Sequence, residues 1–177
     1  MKNKIIMLSL MVSGFAYSQL AIGLNQTSNS SISLEFGNEN RGIILPWTYS
    51  DANLLDAENG TIIYDVADFK VKVKYATGWE DLSVDGTGTT VNPITNLDGL
   101  ILQNDLIENT DAKVGIGAET SVDGILVLEN TNQAMVLPKV ASPHLNILNP
   151  SPGMMAYDTL SGQLAVFNGS VWTFWKP

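Results

Sequence analysis

The chain has 177 residues, no cysteine, and 18 acidic against 9 basic side chains, a formal net charge of −9. That balance argues against nucleic acid and anionic membrane surfaces as partners. The lack of cysteine excludes disulfides, thiolate metal sites and a lipidated N-terminal cysteine.

Residues 1–18 read as a secretory signal. Lys2 and Lys4 supply the positive start, Ile5 to Val12 a short apolar core, and Ala16-Tyr17-Ser18 the small residues of a cleavage site, with Gln19 as the mature start. The apolar run is too short to span a bilayer, and no other stretch approaches ~20 apolar residues, so no membrane span is expected. Losing Lys2 and Lys4 moves the net charge from −9 to −11. The remaining charge is uneven. Residues 19–130 carry 17 acidic and 5 basic side chains, a net of −12, whereas residues 131–177 carry only Lys139, Lys176 and Asp158, a net of +1.

The sequence repeats itself. Gly42-Ile43-Ile44-Leu45-Pro46 aligns with Ala134-Met135-Val136-Leu137-Pro138, and Gly60 to Asp65 aligns with Gly153 to Asp158. Trp79 falls on Trp172, Ile22-Gly23 on Ile116-Gly117, and Leu34-Glu35 on Leu128-Glu129, the offset staying between 92 and 94 residues. The expected organisation is all-β: two homologous small antiparallel β-meander units, residues 19–83 and 114–177, joined by a Gly/Thr/Asp-rich linker at 84–113.

In the first unit, Thr61–Tyr64 and Phe69–Tyr75 are expected strands. The second of these alternates Phe69, Val71, Val73 and Tyr75 with Lys70, Lys72 and Lys74, which predicts one buried face and one face of lysines in water. Upstream, Ser50-Asp51 is placed to cap a helical turn through Leu54 and Leu55. Between the units, Val84 to Asn96 is Gly, Thr, Asp and Asn text without core-forming residues. Leu97 to Leu102 is more apolar and is expected to pair as a strand or dock on a unit. In the second unit, Met154–Tyr157, Gln163–Phe167 and Val171–Trp175 are expected strands. Asn168-Gly169 is a strong hairpin signal, because a tight turn needs positive φ. The Pro- and Asn-rich stretch before Met154 predicts irregular structure.

Lys113 to Gly117, Met135 to Pro138, Gly153 through Asp158, and Phe167 to Trp172, in that order, resemble β-repeat modules of secreted and surface proteins of Bacteroidetes, flavobacteria in particular, similar in style to phage tail-fibre repeats. The resemblance covers the second unit nearly end to end and the first more loosely, which departs at Ala76-Thr77 and Pro46-Trp47. It implies a β-rich structural unit in an extracytoplasmic protein that often oligomerises, with no assigned activity.

Chemistry is sparse. His144 is the single histidine, set in a loop with no acidic residue near it in sequence before Asp158, so no metal site and no catalytic triad is expected. Asp56 with Glu58, and Glu80 with Asp81, lie in polar loop-like text where solvated charge explains them. Asp85-Gly86, Asp98-Gly99 and Asp123-Gly124 lack calcium-loop spacing and read as turns. Gly115-Ile116-Gly117 is no dinucleotide fingerprint. The chain therefore reads as a non-enzyme without a cofactor.

The stronger signal is physical. Lys70, Lys72 and Lys74 align with Gln163, Ala165 and Phe167, so the face that one unit offers to water the other has stripped of charge. A one-sided sheet needs a single apolar face, so the second must pack on something. Met154, Phe167, Trp172, Phe174 and Trp175 are the partner-binding candidates. The leading expectation is an exported interaction or structural protein, periplasmic, outer-membrane-associated or extracellular, that docks on a protein partner or on itself. A specific form is an accessory or plug-like subunit of an outer-membrane or secretion assembly. The alternative is a glycan-binding surface or fibre-like adhesion module, with Trp47, Trp79 and Trp172 as stacking platforms.

Overall fold

The computed structural model describes residues 19–101, 106–107, 109, 111–118 and 121–176. The expected signal segment 1–18 and Leu102 lie outside these residues. The described chain is nearly all β. In chain order the strands are β1 (Leu20–Ile22), β2 (Ile32–Phe36), β3 (Ile43–Ile44), β4 (Trp47–Thr48), β5 (Ile62–Asp65), β6 (Lys70–Tyr75) and β7 (Gly78–Asp81). They continue as β8 (Val114–Gly117), β9 (Leu126–Glu129), β10 (Ala134–Val136), β11 (Lys139–Val140), β12 (Met154–Asp158), β13 (Gln163–Phe167) and β14 (Trp172–Trp175). No described helix is long and apolar enough to cross a membrane.

Two sheets dominate and use one ladder. Strands β5, β6 and β7 form an antiparallel meander, and β4 adds to β5 in parallel. Strands β12, β13 and β14 do the same, with β11 parallel to β12. Trp47 stands opposite Tyr64 as Lys139 stands opposite Tyr157, and Lys74 faces Trp79 as Phe167 faces Trp172. The meander is thus the centre of each sheet rather than all of it; the first strand of each is parallel. The two small sheets are parallel throughout: β1–β2–β10 form one and β8–β9 the other.

The halves of the chain exchange strands. β3 leaves the first half and pairs antiparallel with β12, Ile43 opposite Met155, while β10 crosses back to lie parallel to β2. The two main sheets then face each other across one core. Leu45, Tyr64, Val66 and Val71 meet Met155 and Val166, with Leu100 and Leu137 packed at the margin. Each such side chain contributes roughly 1.5–3 kcal/mol when fully buried.

Residues 84–90 do not span solvent. Asp85 N–H donates to Thr173 Oγ1, Thr89 N–H donates to Asn168 O, and Asn168 Nδ2 reaches Asp85 O and Gly86 O. The Tyr64 hydroxyl donates to Asn168 O at 2.9 Å, so the strap is pinned where the two sheets meet. Gly169 holds φ of +99°, and a Cβ there would strike Thr89 O. The Asn-Gly turn that closes the β13–β14 hairpin is therefore also the seat of the strap. Further on, Leu100 docks on the core and Val91 bridges Asp98, as expected for that apolar stretch.

Candidate functional site

The outer faces of the two main sheets are covered differently, and this decides which candidate residues are reachable. On the first sheet the 49–59 loop folds back over the lysine face. Ser50 Oγ caps a single 3-10 turn at Asp51–Asn53, which stops short of Leu55. Lys72 is not in water: it is 8 % exposed, and its Nζ lies 3.0 Å from Asp51, 3.1 Å from Asp65 and 2.7 Å from Asp68. The neighbouring Lys70 pairs with Asp81. The solvated lysine face is thus corrected at its centre, because the covering loop (Asp51), the end of β5 (Asp65) and the β5–β6 turn (Asp68) bring three carboxylates to one ammonium. Burial works against the Lys72 charge, but bonds to Asp68, Asp51 and Asp65 outweigh it and raise its pKa. Burial likewise pushes the Asp65 carboxyl up, yet the N–H groups of Asp51 and Ala67 and the Lys72 ammonium hold it below the ordinary value.

On the second sheet the positions of Lys72 and Asp68 are Ala165 and Ser161, and the ion cluster is gone. Asp158 takes the place of Asp65. Burial raises it, while the N–H groups of Ser142 and Leu160 and the Ser161 hydroxyl bring it below the usual carboxylate range. The outer face is covered by residues 141–152, which are not irregular throughout: Pro143 opens a helical turn, Pro143–Asn146, after Ser142 at φ of +48°. Val140, Ile147, Met154, Ala156 and Phe167 form a second core beneath it, with Trp172 at its edge.

The candidates therefore separate. Met154 and Phe167 are buried inside this second core. Trp172 is half-buried, 5.2 Å from the Phe167 ring, and half-buried Phe174 receives His144 edge-on at 5.5 Å. Trp175 points to the other face; its indole N–H donates to Leu82 O, and the residue stays 39 % exposed. Of the stacking candidates, Trp47 is tied to Pro152 O and tilted against Tyr64, and Trp79 is half-buried.

What reaches solvent is a group of which the sequence singled out only Trp175. Tyr157 and Trp175, with Gly162, Leu164 and Lys176, line a shallow depression of about 520 Å³. Exposed Leu160 lies in the turn beside it, and Leu145 and Leu148 are exposed on the covering segment. Between Lys139 and Lys176 the one charged side chain is Asp158, which is buried. An apolar residue in the tight Asp158–Gly162 turn was the available signal for Leu160. Exposed Asp56, Glu58 and Glu80 stand as solvated charge, and Asp98 accepts the Leu100 N–H as a turn residue. Among the described residues no three His, Asp or Glu side chains are grouped to hold a metal ion. No family model, curated protein or solved structure matches this chain.

Proposed function

We propose that this is an exported, non-enzymatic interaction protein that docks through the charge-poor end of its second sheet. The observation that supports this reading is the surface around Tyr157, Leu160 and Trp175. It is largely apolar, it borders a shallow depression in which Lys176 is the one charged lining residue, and no ionised side chain is exposed in the sequence between Lys139 and Lys176. Water-facing surfaces ordinarily mix both charge signs, while interface centres are poor in charge and rich in Trp, Tyr and Met. Met154 and Phe167 are buried in the second core on the opposite face of the sheet; Trp175 is the member of the sequence-derived set that stands in this surface. An accessory or plug-like role in an outer-membrane assembly is the specific form of this reading.

A photo-crosslinking side chain placed at Leu160 in the producing cell tests it, with Glu58 on the first sheet's loop as control. One adduct of fixed mass at Leu160, lost when Tyr157→Ser is added, is expected. No adduct at Leu160, or the same adducts at Glu58, would overturn the reading. The two half-exposed rings flanking one depression favour glycan stacking as the second reading. It expects Trp175 fluorescence to respond to an oligosaccharide titration in wild type and not in Tyr157→Ser.

A further inference from the structure

The strands β3 and β10, both running into Leu-Pro, are held by two kinds of ladder, and each kind is made once. β10 lies parallel to β2 with Met135 opposite Leu34. β3 lies antiparallel to β12, with Leu45 N–H bonded to Gly153 O. Along a strand, successive residues turn their N–H and C=O to alternate edges. Leu45 and Ile43 therefore serve β12, and Ile44 turns its backbone the other way. No described strand lies on that edge, and the Ile44 side chain is 56 % exposed.

The complementary edge is on β9. Val114 N–H donates to Ile125 O and Ala118 N–H to Glu129 O, so the odd-numbered residues of β9 serve β8. Leu126 and Leu128 turn their backbone groups outward, to an edge with no described strand. The β8–β9 sheet is two parallel strands whose Val114 and Leu126 are exposed, together with Ile125 beside them. Parallel pairs are ordinarily covered on both faces, and two strands alone are marginal in water. In the repeat, Leu128 stands where Leu34 stands, and Ile43-Ile44 stand where Met135-Val136 stand. The third strand that completes β1–β2 is β10; the one that matches β8–β9 by sequence is β3. No ladder joins β3 to β9 within the chain, because β3 is held on β12.

We propose that a second copy of this chain completes the β8–β9 sheet, its β3 lying parallel to β9 with Ile43 opposite Leu128. The β2–β10 ladder is the template for register and direction. The outward amides of Ile44 and Leu128 become the new donors. Each copy carries one donor edge and one acceptor edge, so two copies exchange β3 reciprocally and leave neither edge open. This contact is separate from the Tyr157–Trp175 surface, and either can fail without the other.

Leu128→Pro removes an N–H that β8 does not use, and proline is tolerated on an edge facing away from its ladder. Ile44→Pro does the same on the donor strand without touching the Leu45 bond to Gly153. The protein from Gln19 onward is expected to weigh twice the chain mass in solution, and each proline variant the single chain mass with an unchanged near-ultraviolet spectrum. A wild type at single chain mass throughout a dilution series, or proline variants that keep the double mass, would overturn the proposal. Should a variant unfold, amide exchange in the wild type decides. The Ile44 and Leu128 amides must lose protection together on dilution to the single mass, and unchanged exchange there refutes the pairing.

Discussion

Removing the Lys72 ammonium should be the most costly single charge deletion in the first sheet. The side chain is 10 % exposed and sits among three carboxylates, of which Asp65 is 1 % exposed and Asp51 and Asp68 are more open. At an effective dielectric near 20, opposite unit charges ~3 Å apart attract by about 5 kcal/mol. Desolvation offsets much of this, and deleting one partner of a buried pair costs about 3–5 kcal/mol because the other charge is left uncompensated. The Asp68 contact, partly in water, supplies under ~1 kcal/mol of this. Lys72→Ala is therefore expected to lose about 3 kcal/mol in urea unfolding at neutral pH, with the slope unchanged. The second sheet supplies the control, since it carries Ala165 and Ser161 at the positions of Lys72 and Asp68. Adding Asp68→Ser to Lys72→Ala removes a like charge from Asp65 and should recover about 1 kcal/mol. A loss below ~1 kcal/mol for Lys72→Ala, or a further loss on adding Asp68→Ser, would refute the reasoning.

Acid should destabilise the fold through three buried carboxylates held below their ordinary values, Glu35 by the Ser28 hydroxyl and N–H, and Asp65 and Asp158 as described. A depressed folded value means stability that is complete above the unfolded value and lost as pH falls through the folded one. Thermal midpoints should thus be level above about pH 5 and fall below about pH 4; a flat profile down to pH 2 would sink this. Gly169→Ala forces a side chain into positive φ, at ~1–2 kcal/mol, and drives its Cβ onto Thr89 O. Loss of protection at the Thr89 amide should accompany the destabilisation, and an effect within about 0.5 kcal/mol of wild type would show that the strap is not seated there.

The parts of the fold that could be read from sequence were those encoded locally. Alternation in Lys70–Tyr75 and the turn at Asn168-Gly169 each carry their signal within a few residues, and both give the expected ladders. The exchange of β3 and β10 could not be read this way, because an apolar strand of two or three residues has no mark for its partner. Non-local cover misled the reading of the lysine face. The alternation is real, but Asp51, two strands away, closes over Lys72. The three aspartates were visible as charges; only the loop path makes them a cluster. On the second sheet the charge-free face did signal that cover was needed. Pro143 directly after Ser142 was the hint that the cover is a helical turn from the same half of the chain, which occupies Met154 and Phe167 and leaves Tyr157, Leu160 and Trp175 reachable.

The strand exchange bears on how a chain without cysteine keeps its shape. Each main sheet alone offers an edge and an apolar face turned to the other, and neither closes the core between them. Met155 and Val166 are buried against Tyr64 and Val71, and β12 gains its outer neighbour from β3. Side-chain bonds run both ways across the same boundary: Trp47 Nε1 to Pro152 O, the Tyr64 hydroxyl to Asn168 O, and Trp175 Nε1 to Leu82 O. Every one joins residues more than 90 apart in the chain, so the boundary is built from long-range contacts of the kind that slow folding. Loop closure over that distance is costly once but grows slowly with length, and several contacts then share one closure. The strap at 84–90 and the exchanged strands fix the boundary that disulfides fix in small oxidised domains. The outer faces, relieved of that task, are free to differ, one closed by ions around Lys72 and the other by apolar packing beneath Pro143–Asn146.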